Sequence, residues 1–303
     1  MPSPREATHS LQEAMDEVIA KVNKTIERLL PETDLPEAHL YEAMRYGTLN
    51  GGKRLRPFLV IHCSNLFKVD ENRSRRVAAA LEMLHSYSLI HDDLPAMDDS
   101  DKRRGKPSVH KEYDEATAIL AGDALLTLAF EILASPDTHE DPRVRCELVS
   151  CLAKAAGGHG MVGGQMLDLL AEKHDFDLGT ISRLQRMKTG KLMAFACEAG
   201  AILGKADPAH RKAIMNYAHD LGAAFQVTDD VLDVEGDEHL IGKPANQDDA
   251  AGKATFVSAM GKEQAKMRAE MLVHQAIRHL KVFEGSRAEM LKELALYVLS
   301  RRA

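Results

Sequence analysis

The sequence contains no tryptophan and only four cysteines among 303 residues. Cys63, Cys146, Cys151 and Cys197 form no CxxC pair, which argues against zinc and against a disulfide framework. They read as small core residues in a reducing compartment. An excess of positive charge is also missing: Lys+Arg 39 against Asp+Glu 46 gives a net charge of −7. That balance disfavours a generic nucleic-acid groove. No apolar run reaches the roughly 18 residues of a membrane span. The best candidate, Ala116–Phe130, is interrupted by Asp123 and Thr127. The opening Met1-Pro-Ser-Pro-Arg5 lacks the apolar stretch of a signal peptide, so a cytoplasmic location is expected. Alternating strand patterns, fixed-period repeats and low-complexity tracts are absent too. What remains is 45% hydrophobic and 28% charged, enough apolar surface to build a core and too much for a disordered chain.

Apolar residues recur at helical spacing almost throughout. Leu11, Met15, Val18, Val22, Ile26 and Leu29 mark an amphipathic helix over about 10–30, stopped by Pro31. A second helix follows Pro36, a third starts at Pro57 and a fourth covers about 74–92. Further helices are predicted near 115–134, 142–157, 160–173, 179–203, 208–235, 251–282 and 286–301. The expected fold is all-α: a single domain over residues 1–303, with helices around a shared core.

Three motifs fail in their context. Gly47 to Lys53 has the spacing of a P-loop, but Arg54 replaces the Ser or Thr and no strand precedes it. Gly158 to Gly163 spells GxGxxG after a helical stretch, so it reads as small residues at a close helix contact. Asp98-Asp99-Ser100-Asp101 lacks the glycine and glutamate of a calcium loop.

Two acidic clusters remain. Asp92-Asp93-Leu-Pro-Ala-Met-Asp98 follows one apolar helix, and Asp229-Asp230-Val-Leu-Asp233 follows another. Asp229 and Asp233 are four apart, about 6 Å along one helix face, where like charges repel. Asp92 and Asp98 are six apart, but Pro95 should break the helix near Asp92 and let a short loop bring Asp98 back. Carboxylates so arranged suit a hard divalent cation, and magnesium typically takes one or two carboxylates plus phosphate oxygens. Basic residues gather elsewhere: Gly51-Gly-Lys53-Arg54-Leu-Arg56, Arg103-Arg104-Gly105-Lys106, Lys188-Thr189-Gly190-Lys191 and Gly242-Lys243. Arginine forks and lysine point charges are what a diphosphate needs. His85 lies two turns before Asp92 on the same helix face, which favours a ligand role.

The ordered motifs GGKRLRP, HSYSLIHDDLPAMDD, RRGKP, GGQMLDL, MKTGKL, FQVTDDVLD and GKATF span about residues 46–259. Together they resemble the short-chain trans-isoprenyl diphosphate synthases, most closely the bacterial farnesyl diphosphate synthases. The resemblance implies an all-helical homodimer that condenses isopentenyl diphosphate with dimethylallyl and geranyl diphosphate. It implies three magnesium ions, two held by Asp92 and Asp98 and one by Asp229, with Asp93 and Asp233 in support. It assigns Lys53, Arg56, His85 and Arg104 to isopentenyl diphosphate, and Arg103, Lys188, Lys243 and Lys253 to the allylic diphosphate. Thr189 and Gln226 would lie beside the reacting carbons, with Gln165 in the matching glutamine motif.

Tyr87, five residues before Asp92, sits about 7.5 Å along the helix axis, where a bulky ring would act as a floor. In relatives an aromatic here goes with a C15 product, so farnesyl diphosphate is expected. A geranylgeranyl diphosphate synthase is the nearest alternative. A non-catalytic partner subunit would be expected to have lost one aspartate motif, and a terpene cyclase would lack GGKRLRP.

Overall fold

The computed structural model describes residues 4–171, 174, 176–235 and 255–300. The described residues are overwhelmingly helical. In chain order they form α1 (Pro4–Leu29), α2 (Ala38–Leu49), α3 (Leu55–Leu66) and α4 (Glu71–Asp92). A short ribbon follows, β1 (Lys102–Arg103) and β2 (Lys106–Pro107). Next come α5 (Val109–Glu112), α6 (Glu115–Ala134), α7 (Pro142–Ala156), α8 (Met161–Ala171) and α9 (Leu178–Gln185). A π turn, Arg186–Gly190, joins α9 to α10 (Lys191–Leu203). Then come α11 (Pro208–Glu235), α12 (Phe256–Met260), α13 (Lys262–His279) and α14 (Glu289–Ser300).

Two compact units emerge. The N-terminal unit comprises Gln12–Ile61 and Val69–Val149. The C-terminal unit draws on described residues of Met1–Leu11, His62–Lys68 and Ser150–Ala303. In the N-terminal unit, α4 packs against α2 and α6. Its buried face includes Val77, Leu81 and Leu84, and α6 contributes Ala121, Leu125 and Ala129. The start of α4 is fixed by Asp70, whose carboxylate accepts the backbone N–H groups of Asn72 and Arg73. In the C-terminal unit, α11 packs against α10, α13 and α14. There Tyr217 is wholly buried, and its hydroxyl donates to the Leu291 carbonyl at 2.8 Å.

The predicted helices 115–134 and 208–235 coincide with α6 and α11. Three readings are corrected. The predicted helix 179–203 is split by the π turn, and the described part of 251–282 breaks at Gly261, where φ is +83°. The expected absence of β structure fails at β1 and β2, an antiparallel pair with Lys102 opposite Pro107. Arg104 and Gly105 join the strands with φ of +54° and +80°, as the twist of a two-residue hairpin turn requires. The third correction concerns α6. Its 20 residues, mean hydropathy 1.7 in an 18-residue window, are long and apolar enough to cross a membrane by length and composition, despite Asp123. Only 39% of that window is buried.

Candidate active site

In the N-terminal unit, α4 ends at Asp92 and Pro95 follows in the loop. The loop doubles back as expected: the Asp98 N–H donates to the Asp92 carbonyl at 2.9 Å. Asp92 is half-buried and Asp98 is exposed. Asp93 behaves differently. It is buried, and Arg103 Nε donates to both of its carboxylate oxygens, at 3.1 and 3.0 Å. Burial works against the charge on Arg103, but Asp93, with Asp92 and Asp98 nearby, more than offsets it and raises its pKa.

The basic turn lies in the same unit. Gly51, Gly52 and Arg54 all have positive φ. Gly52 suits its φ of +111°, and a Cβ there would stand 2.5 Å from the Arg104 guanidinium carbon, so a larger residue would displace that side chain. Arg104 Nη1 donates to the Gly51 carbonyl. Arg56 Nη1 donates to His85 Nε2 at 3.1 Å. Since guanidinium can only donate, Nε2 is an acceptor and the ring is neutral. Burial pushes His85 well below its ordinary pKa, and Arg56, Arg104, Arg103 and Arg54 push in the same direction. Burial and the neighbouring arginines also lower Arg104, against the pull of Glu82. Lys53 is exposed at the edge of this group. Cations gathered this closely raise the local positive potential.

The sign of the His85 contribution to stability follows from its lowered pKa. The unfolded chain takes up this proton first, so stability is complete above about pH 6.5 and is lost as pH falls below it. His85→Gln keeps an acceptor for Arg56 and removes the titration. We expect its melting temperature to fall less than that of wild type between pH 7.5 and 5.5. Equal losses in thermal unfolding would reject a buried neutral His85.

In the C-terminal unit, Lys188 and Thr189 lie in the π turn, a local widening of the helix often found at functional sites. Gly164 of α8 lets the turn approach, since a Cβ there would be 2.3 Å from the Lys188 backbone nitrogen. Lys188 Nζ reaches Asp168 Oδ2 at 2.6 Å, a partner that the sequence reading missed although it lies in the same GGQMLDL motif. Both polar side-chain atoms of Gln165 are buried with no hydrogen-bond partner among the described residues. On α11, Gln226, Asp229 and Asp233 are half-buried. Asp230 is buried; it accepts the Phe256 N–H at 2.7 Å and Gln185 Nε2 at 3.3 Å. Lys243 and Lys253 lie outside the described residues.

The two aspartate motifs therefore share a design. The middle carboxylates, Asp93 and Asp230, are turned inward and hold other protein groups. The outer ones, Asp92 with Asp98 and Asp229 with Asp233, keep access to solvent. Pairs of partly solvated carboxylates fit magnesium that brings diphosphate oxygens with it. Among the described residues no group of three or more His, Cys, Asp or Glu is assembled that could hold an ion.

The all-helical fold, the solvated carboxylate pairs and the cation cluster define a protein that handles diphosphates. The sequence model of the polyprenyl synthetase family matches residues 37–294, and the chain belongs to that family. It is 43% identical over 292 residues to farnesyl diphosphate synthase of Escherichia coli (strain K12), covering 95% of this chain and 97% of the relative. It is 41% identical over 273 residues to farnesyl diphosphate synthase of Geobacillus stearothermophilus, covering 90% of this chain and 92% of the relative. Among solved structures it is similar to an FPP/GFPP synthase from Zymomonas mobilis, with a TM-score of 0.87 and 48% identity. That match covers 96% of this chain and 99% of the other.

Proposed function

We propose that this chain is a magnesium-dependent trans-prenyltransferase. It condenses isopentenyl diphosphate with dimethylallyl and then geranyl diphosphate, giving (2E,6E)-farnesyl diphosphate and releasing diphosphate. The observation that carries the reading is the placement of two opposite fields on one helix. The cations around neutral His85 lie seven residues, about 10 Å, before the carboxylate at Asp92. That pairing suits one diphosphate held by arginine and lysine beside a second held through metal. The 43% and 41% identity to two farnesyl diphosphate synthases, over most of each chain, supports the product class. We take residues 1–303 as one cytoplasmic catalytic domain.

Asp92 and Asp98 would hold two magnesium ions and Asp229 a third. Magnesium, when bound, supplies positive charge that weakens the C–O bond of the allylic diphosphate. Lys188, Lys243 and Arg103 add fixed positive charge where negative charge grows on the leaving group. Asp168 orients Lys188, and Asp93 orients Arg103. Lys53, Arg56, His85 and Arg104 hold isopentenyl diphosphate so that its double bond meets the allylic carbon. The C–O bond breaks with its electron pair on diphosphate, the new C–C bond forms, and the departed diphosphate takes the proton lost from the isopentenyl unit. Thr189 and Gln226 direct oxygen dipoles toward the allylic cation, with Gln165 close in the same constellation.

We propose a homodimer whose contact includes the outer face of α6. Ile119 is 44% exposed and Leu120 58% exposed on this strongly apolar helix, and a second copy of the chain is the partner proposed to cover them. Leu120→Lys is expected to shift the protein from dimer to monomer in light scattering after size exclusion. An unchanged mass would place the dimer contact elsewhere.

The central test is incubation of purified protein with magnesium, isopentenyl diphosphate and dimethylallyl diphosphate, followed by product chromatography. Farnesyl diphosphate as the main product supports the assignment, and no prenyl product would overturn it.

A further inference from the structure

Arg54 stands between Lys53 and Arg56 in the basic turn, yet it is not available to a substrate. Its side chain is 0% exposed. Its guanidinium is spent on three helices. Nη1 donates to Glu82 Oε1 of α4 at 2.6 Å, and Nη2 donates to the Thr48 carbonyl of α2 at 2.7 Å. Nε and Nη2 both donate to Asn23 Oδ1 of α1, at 3.1 and 3.0 Å. Glu82 is 2% exposed, so the pair is buried on both sides. A buried ion pair is retained at a desolvation cost and is often neutral against apolar packing, so added stability is a poor reason for its presence.

The backbone at Arg54 is unusual as well. Its φ is +50°, a left-handed conformation that is strained for a residue other than glycine. Its carbonyl accepts the Phe58 N–H at 2.9 Å, so Arg54 opens α3, and Arg56 lies in the first turn that follows. Two rungs then connect the turn to α4. Arg54 meets Glu82, and Arg56 meets His85, three residues further along one face of the same helix.

We propose that Arg54 is a positioning residue for isopentenyl diphosphate. Braced by Glu82, Asn23 and the Thr48 carbonyl, it holds the left-handed turn that aims Lys53 and Arg56 at the diphosphate. This rests on the synthase reading above and extends it to residues that cannot touch substrate.

The test compares Arg54→Gly, Arg54→Lys and Asn23→Ala with wild type in steady-state kinetics, varying each substrate separately. Glycine accepts φ of +50° without strain, so Arg54→Gly removes the fork while leaving the backbone at ease. Lysine keeps the charge but cannot make the fork. The expected result is a KM for isopentenyl diphosphate raised at least about tenfold in both Arg54 variants, with kcat and the allylic KM within about twofold. Exogenous guanidinium should recover part of the loss in Arg54→Gly. Amide hydrogen exchange over residues 50–56 should accelerate in parallel. Asn23→Ala removes one acceptor without touching the core ion pair, and a several-fold rise in the same KM is expected even where the Arg54 variants do not fold. A folded variant set with an unchanged isopentenyl KM, or with both KM values and kcat altered alike, would overturn the positioning role. Wild-type protein that makes no prenyl product would instead overturn the synthase reading itself.

Discussion

Asp92→Ala is expected to lower kcat at least about 10³-fold at saturating substrates, about 4 kcal/mol of lost transition-state stabilisation. Asp92 is the last residue of α4, so its carboxylate stands on a rigid support. Asp98 is tied to it through the N–H bond to the Asp92 carbonyl, and that bond survives the substitution because it uses the backbone. What disappears is one of two carboxylates proposed to hold the ions that accompany the diphosphate. Asp98 alone would bind them weakly, and their charge would sit away from the breaking C–O bond. Asp93→Ala makes the informative contrast. It strips Arg103 of the carboxylate that orients it. Its damage should therefore appear mainly in the allylic KM and in the melting temperature. The check is steady-state kinetics over a magnesium series, with circular dichroism to confirm folding. Asp92→Ala with wild-type kcat would reject the metal assignment.

That contrast shows where the sequence was readable and where it was not. The resemblance put Asp93 and Asp233 alike in support and gave Asp230 no role, whereas burial separates the inward Asp93 and Asp230 from the more solvated Asp92, Asp98, Asp229 and Asp233. By comparison, the break after Asp92 and the return of Asp98 follow from a single proline, because its ring cannot continue the helix. Long amphipathic or apolar segments such as α6 and α11 were legible from periodicity alone. The π turn was not: the spacing over 179–203 stays helical, and one extra residue in a turn leaves little trace in an apolar pattern. The ribbon at Lys102–Pro107 was invisible because two-residue strands are too short to alternate. Partners across the fold were missed for a similar reason. Asp168 and Asn23 are ordinary polar residues in sequence, and tertiary contact alone gives them Lys188 and Arg54. Glu82 did leave a signal, a lone acid inside the apolar run Val77–Leu84, and such a residue asks for a buried cation.

Tyr87→Ala is expected to move the main product from C15 to C20, the second large effect. The ring is 9% exposed, and it meets His91 edge-on with centroids 5.3 Å apart. His91 in turn fills the space over Gly122 of α6, where a Cβ would stand 2.1 Å from its Nε2. Tyr87 thus closes the seam between α4 and α6, five residues and about 7.5 Å before Asp92. Five residues turn it about 140° from Asp92 around the helix, and burial, then the charges of Asp92 and of Asp123 on α6, raise its pKa, so the ring lies between the carboxylate end of α4 and α6. A prenyl chain held by its diphosphate near Asp92 and growing along α4 would meet the ring from above. Removing the ring leaves a cavity and should cost about 3 kcal/mol of stability, so melting temperature must be followed alongside products. Tyr87→Phe keeps the ring and loses only the hydroxyl, and it should still stop at C15. Consumption of dimethylallyl diphosphate in the first condensation should remain within about threefold of wild type, because the C10 chain is short of the ring. Chromatography of dephosphorylated products distinguishes the cases. A folded, active Tyr87→Ala variant that still stops at farnesyl diphosphate would leave Tyr87 as a core aromatic and move the length determinant elsewhere.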